Sequence, residues 1–144
     1  MRHKRDAVTP DLFEIPQPAP QGPGCLSCRV QIASTMSEAL RGLERYDVAA
    51  GMSRLLDRDI SKHMLDAYTA ESREDHIPPL DTAIAFDMAT GNLTLLNLYA
   101  SKVGARVSVG KDALNAELGK LERLRADVAK QIKSLKRVMG SNYD

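Results

Sequence analysis

Two short segments of the chain contain residue types that bind metal ions in proteins. Cys25 and Cys28 have the spacing of half a zinc site, but no two of the three histidines have the spacing needed to complete it. Residues 71–76 combine carboxylates with a histidine, as divalent-metal sites do, yet no second carboxylate cluster accompanies them. We therefore expect two free thiols, a solvated acidic loop and no metal.

Ser61 and His63 could act as nucleophile and base only if their side chains met. They are two residues apart on an expected helix, and side chains at that spacing diverge. Residues 110–112 are Gly-Lys-Asp but lack the upstream glycine of a phosphate-binding loop. The sequence therefore predicts no enzyme and no cofactor.

A third group of polar residues has side chains of the types that bind DNA. Hydroxyl, ammonium and imidazole groups reach base edges and phosphates, and arginines near helix ends contact the phosphate backbone. Residues of these types lie on the outward side of an expected helix after residues 57–59, and three arginines lie near its ends. The predicted DNA-binding residues are Ser61, Lys62, His63 and Thr69, with Arg54, Arg58 and Arg73 as backbone contacts.

Composition indicates which elements position these residues. The chain has 144 residues, 43% of them hydrophobic, with no Trp and only two Phe, so its core must consist of aliphatic residues and Met. This favours an all-α domain of ordinary size. Apolar residues recur three and four apart in five segments bounded by turn residues. The expected short helices are residues 29–42, 46–56, 60–71, 80–89 and 93–103, with Asp59 and Asn92 as N-caps of the third and fifth.

The five helices define a domain of residues 29–103, and the other segments are expected to lie outside it. Residues 1–28 hold five of the seven prolines and are expected to form a flexible arm. The expected remainder is an extended connector at 104–111, a long helix at 112–139 and a tail at 140–144. No stretch approaches the roughly 20 apolar residues that span a bilayer. These features predict a cytoplasmic protein with no membrane contact.

The long helix has the clearest periodicity in the chain. One strict heptad seam continues for more than three heptads, which indicates pairing with another helix. The seam, and therefore the predicted homodimer surface, consists of Leu114, Leu118, Leu121, Arg125, Val128, Ile132, Leu135 and Met139. Arg125 costs stability at its a position, but polar residues there fix register and oligomeric state. The alternative is that this face packs on the chain's own helices.

Residues 46–71 have the layout of a helix-turn-helix motif. Ala49 and Ala50 would let the two helices approach closely, and the second helix would enter the major groove. Against DNA binding, the turn is longer than in the tight motif, and residues 29–90 carry seven Lys/Arg against eleven Asp/Glu. Residues 102–137 carry ten Lys/Arg against four Asp/Glu. The alternative is two adjoining helices that only contribute to a core.

A resemblance adds to this interpretation. The segments 45–53 (RYDVAAGMS) and 60–73 (ISKHMLDAYTAESR) resemble small helix-turn-helix regulatory proteins of Mu-like transposable phages and prophages, and the similarity extends over 9–13 and 119–123. The succession of short helices also resembles lambdoid-repressor-like domains. The resemblance implies sequence-directed binding of double-stranded DNA in phage regulation or transposition, with no catalytic residues.

These observations lead to competing hypotheses. In the first, the protein is a dimeric DNA-binding regulator that contacts two half-sites, whose spacing the dimer sets. In the second, it is a non-catalytic adaptor whose acidic domain binds a host or phage protein, and the motif serves only packing. A weaker third hypothesis has the cationic long helix bind nucleic acid or an anionic surface without sequence preference.

Overall fold

The computed structural model describes residues 15–141, and these residues contain six α-helices and no β-strand. The helices are α1 Arg29–Ala39, α2 Arg45–Leu56, α3 Lys62–Thr69, α4 Leu80–Thr90, α5 Thr94–Val103 and α6 Lys111–Ser141. The predicted all-α class is therefore confirmed. The first half of the predicted arm and the last residues of the tail, 1–14 and 142–144, lie outside the described residues.

Helices α1 to α5 surround one small apolar core. Phe86, Met36, Met52 and Leu65 have no exposed surface, and alanines fill much of the space between them. Helix α2 packs on α4, while α1 contacts both α3 and α5. Because this core is small and closely packed, volume changes in it are costly.

Helix α2 approaches α4 closely at Gly51. A Cβ atom added there would lie 3.3 Å from the Cβ of Ala89, which is tighter than most packed contacts. Ala49 is buried, as predicted, but Ala50 is exposed. The prediction that Ala50 supplies a close helix contact is therefore wrong, because α2 turns its Ala49 and Gly51 positions, rather than Ala50, toward neighbouring residues.

Helix α3 begins later than predicted. Its N-cap is Ser61, whose Oγ accepts a hydrogen bond from the backbone N–H of Met64 at 3.1 Å. The predicted cap, Asp59, lies two residues before Ser61 and is exposed. The chain is still extended at Ser61, with φ −87° and ψ 159°, so a cap at Asp59 would require helical turns where none form.

Helix α5 is capped from another helix. The carboxylate of Asp87 in α4 accepts hydrogen bonds from the backbone N–H groups of Leu95 at 3.1 Å and Leu96 at 2.8 Å. Asp87 is only 5% exposed, and its charge lies beside the positive end of the helix dipole. The predicted cap, Asn92, is exposed instead. A local pattern cannot reveal a cap that comes from the preceding helix.

The carboxyl end of α3 is held by a buried arginine of α1. Arg29 is 8% exposed, and its Nε donates to the backbone carbonyl of Arg73 at 2.8 Å. Its Nη2 donates to the carbonyls of Ala70 at 3.0 Å and Ala67 at 3.3 Å. The carbonyls of Ala70 and Arg73 also accept the backbone N–H groups of Arg73 and His76. The guanidinium therefore joins α1 to the end of α3 and to the turn that follows it, and its charge offsets the helix dipole.

The second half of the predicted arm is attached to the domain. Ala19 donates its backbone N–H to the carbonyl of Lys102 at 2.8 Å, at the end of α5. Gly104, with φ +73°, ends that helix in the left-handed conformation, and a Cβ atom there would lie 2.6 Å from the nitrogen of Pro18. Gly104 is therefore needed both for the turn and for this contact.

Helix α6 belongs to a second compact unit, which begins at Ser108. It has 31 residues, and none of them is buried. The residues that precede it, 105–109, form neither helix nor strand, as expected of the connector. Among residues 15–141, no helix is both long enough and apolar enough to cross a membrane.

Candidate nucleic-acid interface

The turn between α2 and α3 has a defined geometry. Asp57 ends α2 in the left-handed conformation, with φ 51°. The hydroxyl of Ser53 accepts a hydrogen bond from the N–H of Ile60 at 2.8 Å, and the Ile60 side chain is 3% exposed. Leu65 then anchors α3 in the core. The motif is thus rigidly attached, and the opposite side of α3 faces solvent.

One side of α3 carries a network of three charged groups. Asp66 accepts a hydrogen bond from Lys62 at 2.8 Å through one carboxylate oxygen and from Arg45 of α2 at 2.8 Å through the other. The Lys62 ammonium also lies 5.7 Å from the centre of the Tyr46 ring, within cation–π range. With two cations and one anion, the network itself carries a net positive charge.

The same network shifts the protonation equilibria of its members. The hydrogen bond from Lys62 is the largest cause that lowers the pKa of Asp66, and charge attraction from Lys62 and Arg45 adds to it. In return, the hydrogen bond and charge of Asp66 raise the pKa of Lys62. Asp66 is therefore ionised and Lys62 protonated at neutral pH. The acidic residue on the predicted reading helix is neutralised by its neighbours.

The two hydroxyl residues predicted to contact bases serve the fold. Ser61 caps α3 through its side chain. Thr69 donates to the carbonyl of Leu65 at 3.1 Å and accepts from Arg45 at 3.1 Å. Both side chains are half-buried. Their hydrogen-bonding groups are already engaged, so they are poorly placed to distinguish bases.

His63 lies on a different side of α3 from the network. It is exposed and lines a shallow cleft of about 270 Å³ together with Arg73 and His76. His76 is 2.9 Å from Asp75, and that contact lowers the pKa of the Asp75 carboxyl. The cleft therefore gathers Arg73 and two imidazoles, but one imidazole is paired with an acid.

The arginines predicted to contact the DNA backbone have different surroundings. Arg58 forms a two-point ion pair with Asp81 of α4, at 2.9 and 3.3 Å, and donates to the hydroxyl of Thr82 at 2.8 Å. The hydrogen bond from Arg58 is the main reason why the pKa of Asp81 falls to about 2. Arg54 is exposed in the last turn of α2. Arg58 thus links the turn to α4, whereas Arg54 projects into solvent.

No family model, curated protein or solved structure matches this chain. The resemblance to phage regulatory proteins therefore remains a prediction. The function has to be argued from the surfaces themselves.

Sequence reasoning missed Arg45 and Tyr46 as parts of the interface. Both belong to the first turn of α2, and their partners are in α3, so no helical spacing connects them. The available signal was Asp66 itself, because an acid on a DNA-reading surface requires a neutralising partner. Only the packing of α2 on α3 identifies that partner as Arg45.

The residues considered as metal ligands do not converge within the described part of the chain. Cys25 is exposed, Cys28 is half-buried, and both are free thiols. No group of three or more His, Cys, Asp or Glu residues among residues 15–141 could hold a metal ion.

The predicted dimerisation residues lie along one continuous face of α6. All eight are exposed, and the apolar members range from 44% exposed at Val128 to 72% at Leu114. Large exposed apolar faces usually mark interaction surfaces. Within its own unit this face is therefore left uncovered.

Proposed function

We propose that this protein is a phage- or prophage-type DNA-binding regulator that acts as a homodimer, with α3 as its reading helix and α6 as its dimerisation element. The observation that carries the proposal is the neutralisation of Asp66 by Lys62 and Arg45. It gives the half-buried network beside α3 a net positive charge within a domain that is acidic overall. Phosphate neutralisation by such cations supplies most non-specific DNA affinity.

The positions of the cations support this proposal. Lys62 and His63 occupy the first turn of α3, and in a helix-turn-helix the N-terminal residues of the second helix contact base edges. Arg45 and Tyr46 extend the same surface onto α2. Lysine and histidine donate hydrogen bonds to the major-groove acceptors of guanine, and Arg45 is suited to a phosphate.

The acidic balance of the domain is a weaker objection than the sequence alone suggests. Asp87 is buried as the cap of α5, and Asp81 is bound by Arg58. Asp66 carries two cationic partners. These carboxylates therefore contribute less repulsion toward a phosphate backbone than free surface acids would.

DNA binding across a salt series tests the proposal. In the full chain, Lys62→Ala combined with His63→Ala should lower affinity for the preferred duplex at least tenfold and reduce discrimination against random duplex. A matched pair on the outward side of α6, Lys130→Ala with Lys133→Ala, should leave discrimination unchanged. A larger loss from the α6 pair, equal on every duplex, would instead support non-specific binding by α6.

A second candidate function has a specific observation in its favour. Helix α4 exposes an apolar stripe of Leu80, Ile84 and Met88, which are 72%, 55% and 62% exposed. Such a stripe on an acidic domain suits a protein-interaction adaptor that binds a host or phage partner. Ile84→Ser with Met88→Ser should then abolish partner capture. The same pair should leave DNA binding intact if the regulator proposal is correct.

A further inference from the structure

The heptad face of α6 indicates whether two copies of this helix pair in parallel or antiparallel orientation. The inference of an orientation rests on the proposed dimer. Helix α6 is continuous from Lys111 to Ser141, so the heptad register of the sequence applies along its whole length. With Leu114 at d and Leu118 at a, Glu117 falls at g and Glu122 at e. These are the positions that flank a coiled-coil seam and set orientation.

A parallel pair would bring like charges together at two levels. In parallel dimers, a g residue faces the e residue of the next heptad on the partner helix. Glu117 would therefore face Glu122 of the second copy, and symmetry repeats this pair. At one a position, Arg125 of one copy would face Arg125 of the second copy. Each of these contacts is repulsive, and the arginine pair would be partly desolvated.

An antiparallel pair removes these repulsions. When a layers face d layers about a centre between Ala126 and Asp127, Leu114 lies beside Met139 of the second copy, and Leu118 lies beside Leu135. Arg125 then faces Val128 and can pack its methylene stem there while its guanidinium reaches solvent. Glu122 faces Ala129, so no like-charged pair flanks the seam.

The charge gradient along α6 also favours the antiparallel orientation. Residues 111–123 carry three Lys/Arg and three Asp/Glu, whereas residues 125–137 carry five Lys/Arg and one Asp. A parallel pair would place the two cationic halves side by side. An antiparallel pair places each cationic half beside the neutral half of the other copy, which lowers the electrostatic cost of association.

We propose that the exposed face of α6 binds a second copy of this chain in antiparallel orientation, with Leu114 of one copy beside Met139 of the other. The starts of the two α6 helices then lie roughly 45 Å apart, the length of the helix, rather than about 10 Å apart as in a parallel pair.

Cross-linking of single-cysteine variants tests the orientation. In the full chain with Cys25→Ser and Cys28→Ser, Val128→Cys lies near the centre of the pair, so a short bismaleimide should cross-link it in either orientation. Leu114→Cys alone should not cross-link, because the two sites are roughly 37 Å apart in the antiparallel pair. A mixture of Leu114→Cys and Met139→Cys chains should give the mixed product.

Each outcome decides the proposal. Cross-linking of Leu114→Cys alone, as efficient as that of Val128→Cys, would show a parallel pair and overturn it. No cross-linking of Val128→Cys, together with the mass of one chain in solution, would exclude pairing altogether. Antiparallel cross-linking by a protein that binds no duplex would keep this inference and refute the DNA-binding function, so the two failures are distinguishable.

A charge substitution gives a test without cysteines. Glu122→Lys would create an attractive contact with Glu117 in a parallel pair, and the dimer dissociation constant should then fall severalfold. In the antiparallel pair residue 122 faces Ala129, so this substitution should leave the constant unchanged or raise it. Tightening by Glu122→Lys would contradict the antiparallel arrangement.

Discussion

Leu65 of α3 and Leu118 of α6 are the same residue type on two amphipathic helices, yet Leu65 is 0% exposed and Leu118 is 55% exposed. Helix α3 has only eight residues, and a helix of that length is marginal without tertiary contacts. Helix α6 has 31 residues and buries none of them. The five-helix domain thus depends on its own core, whereas the unit that contains α6 leaves the apolar face of that helix uncovered.

Matched leucine truncations should give the largest difference between the two regions. Leu65→Ala should lower the free energy of unfolding by about 2–5 kcal/mol, because it leaves a cavity in a closely packed core. Leu118→Ala should leave domain stability nearly unchanged and weaken dimerisation instead. Urea unfolding followed by tyrosine fluorescence measures the first effect, since three of the four tyrosines belong to residues 29–103, and sedimentation measures the second. Equal destabilisation of the domain by both variants would contradict the comparison.

Arg29 gives the next largest expected effect. Arg29→Met should cost about 2–3 kcal/mol, because it removes the buried, charged donor that joins α1 to the carbonyls of Ala67, Ala70 and Arg73. The matched control is Arg41→Met, which removes an exposed pair with Glu38 and should cost less than about 1 kcal/mol. Urea midpoints of the two variants measure the difference. Similar midpoints would show that Arg29 does not hold α3.

The cap from Asp87 gives a smaller but measurable effect. Asp87→Ala should cost about 1–2 kcal/mol, because the N–H groups of Leu95 and Leu96 lose their acceptor. Asp112→Ala, in the first turn of α6, should cost only about 0.3–1 kcal/mol of helix stability. Amide hydrogen exchange should show faster exchange confined to the start of α5 in the first variant. Unchanged protection there would contradict the role of Asp87.

The acid dependence of stability should give the smallest effect. The pKa of Asp81 is about 2 in the folded protein, below its unfolded value of about 3.9, because Arg58 stabilises its charged form. The stabilisation is therefore present above about pH 4 and is lost as the pH falls toward 2. Asp81→Asn should flatten the decline of the urea midpoint across that range. Asp127→Asn on α6 should leave the decline unchanged, and an equal flattening in both variants would disprove the assignment.

Much of the fold could be predicted from local sequence. The five short helices and α6 lie within a few residues of their predicted bounds, because apolar spacing and turn residues act locally. The errors in the capping residues fall at helix starts. Asp59 and Asn92 have the residue types of N-caps, but Ser61 and Asp87 perform that role. The choice between nearby polar residues depends on where packing ends each loop.

The candidate site could be predicted only in part. His63 is exposed on α3 and Lys62 is half-buried in an ion pair with Asp66, whereas Ser61, Thr69 and Arg58 are engaged in hydrogen bonds of the fold. Their residue types suited DNA contact equally well. Hydrogen bonds between helices that are distant in sequence decide which of these groups remain accessible.

The sequence by itself determined the helical class, the order of the helices and the heptad face of α6, because each depends on residues within one or two turns of each other. Only the tertiary structure decided that Arg29 holds the end of α3, that Asp87 caps α5 and that Arg45 neutralises Asp66. These contacts join residues 44, 8 and 21 positions apart. Their geometry exists only after the core has packed, and for that reason no local pattern specifies them.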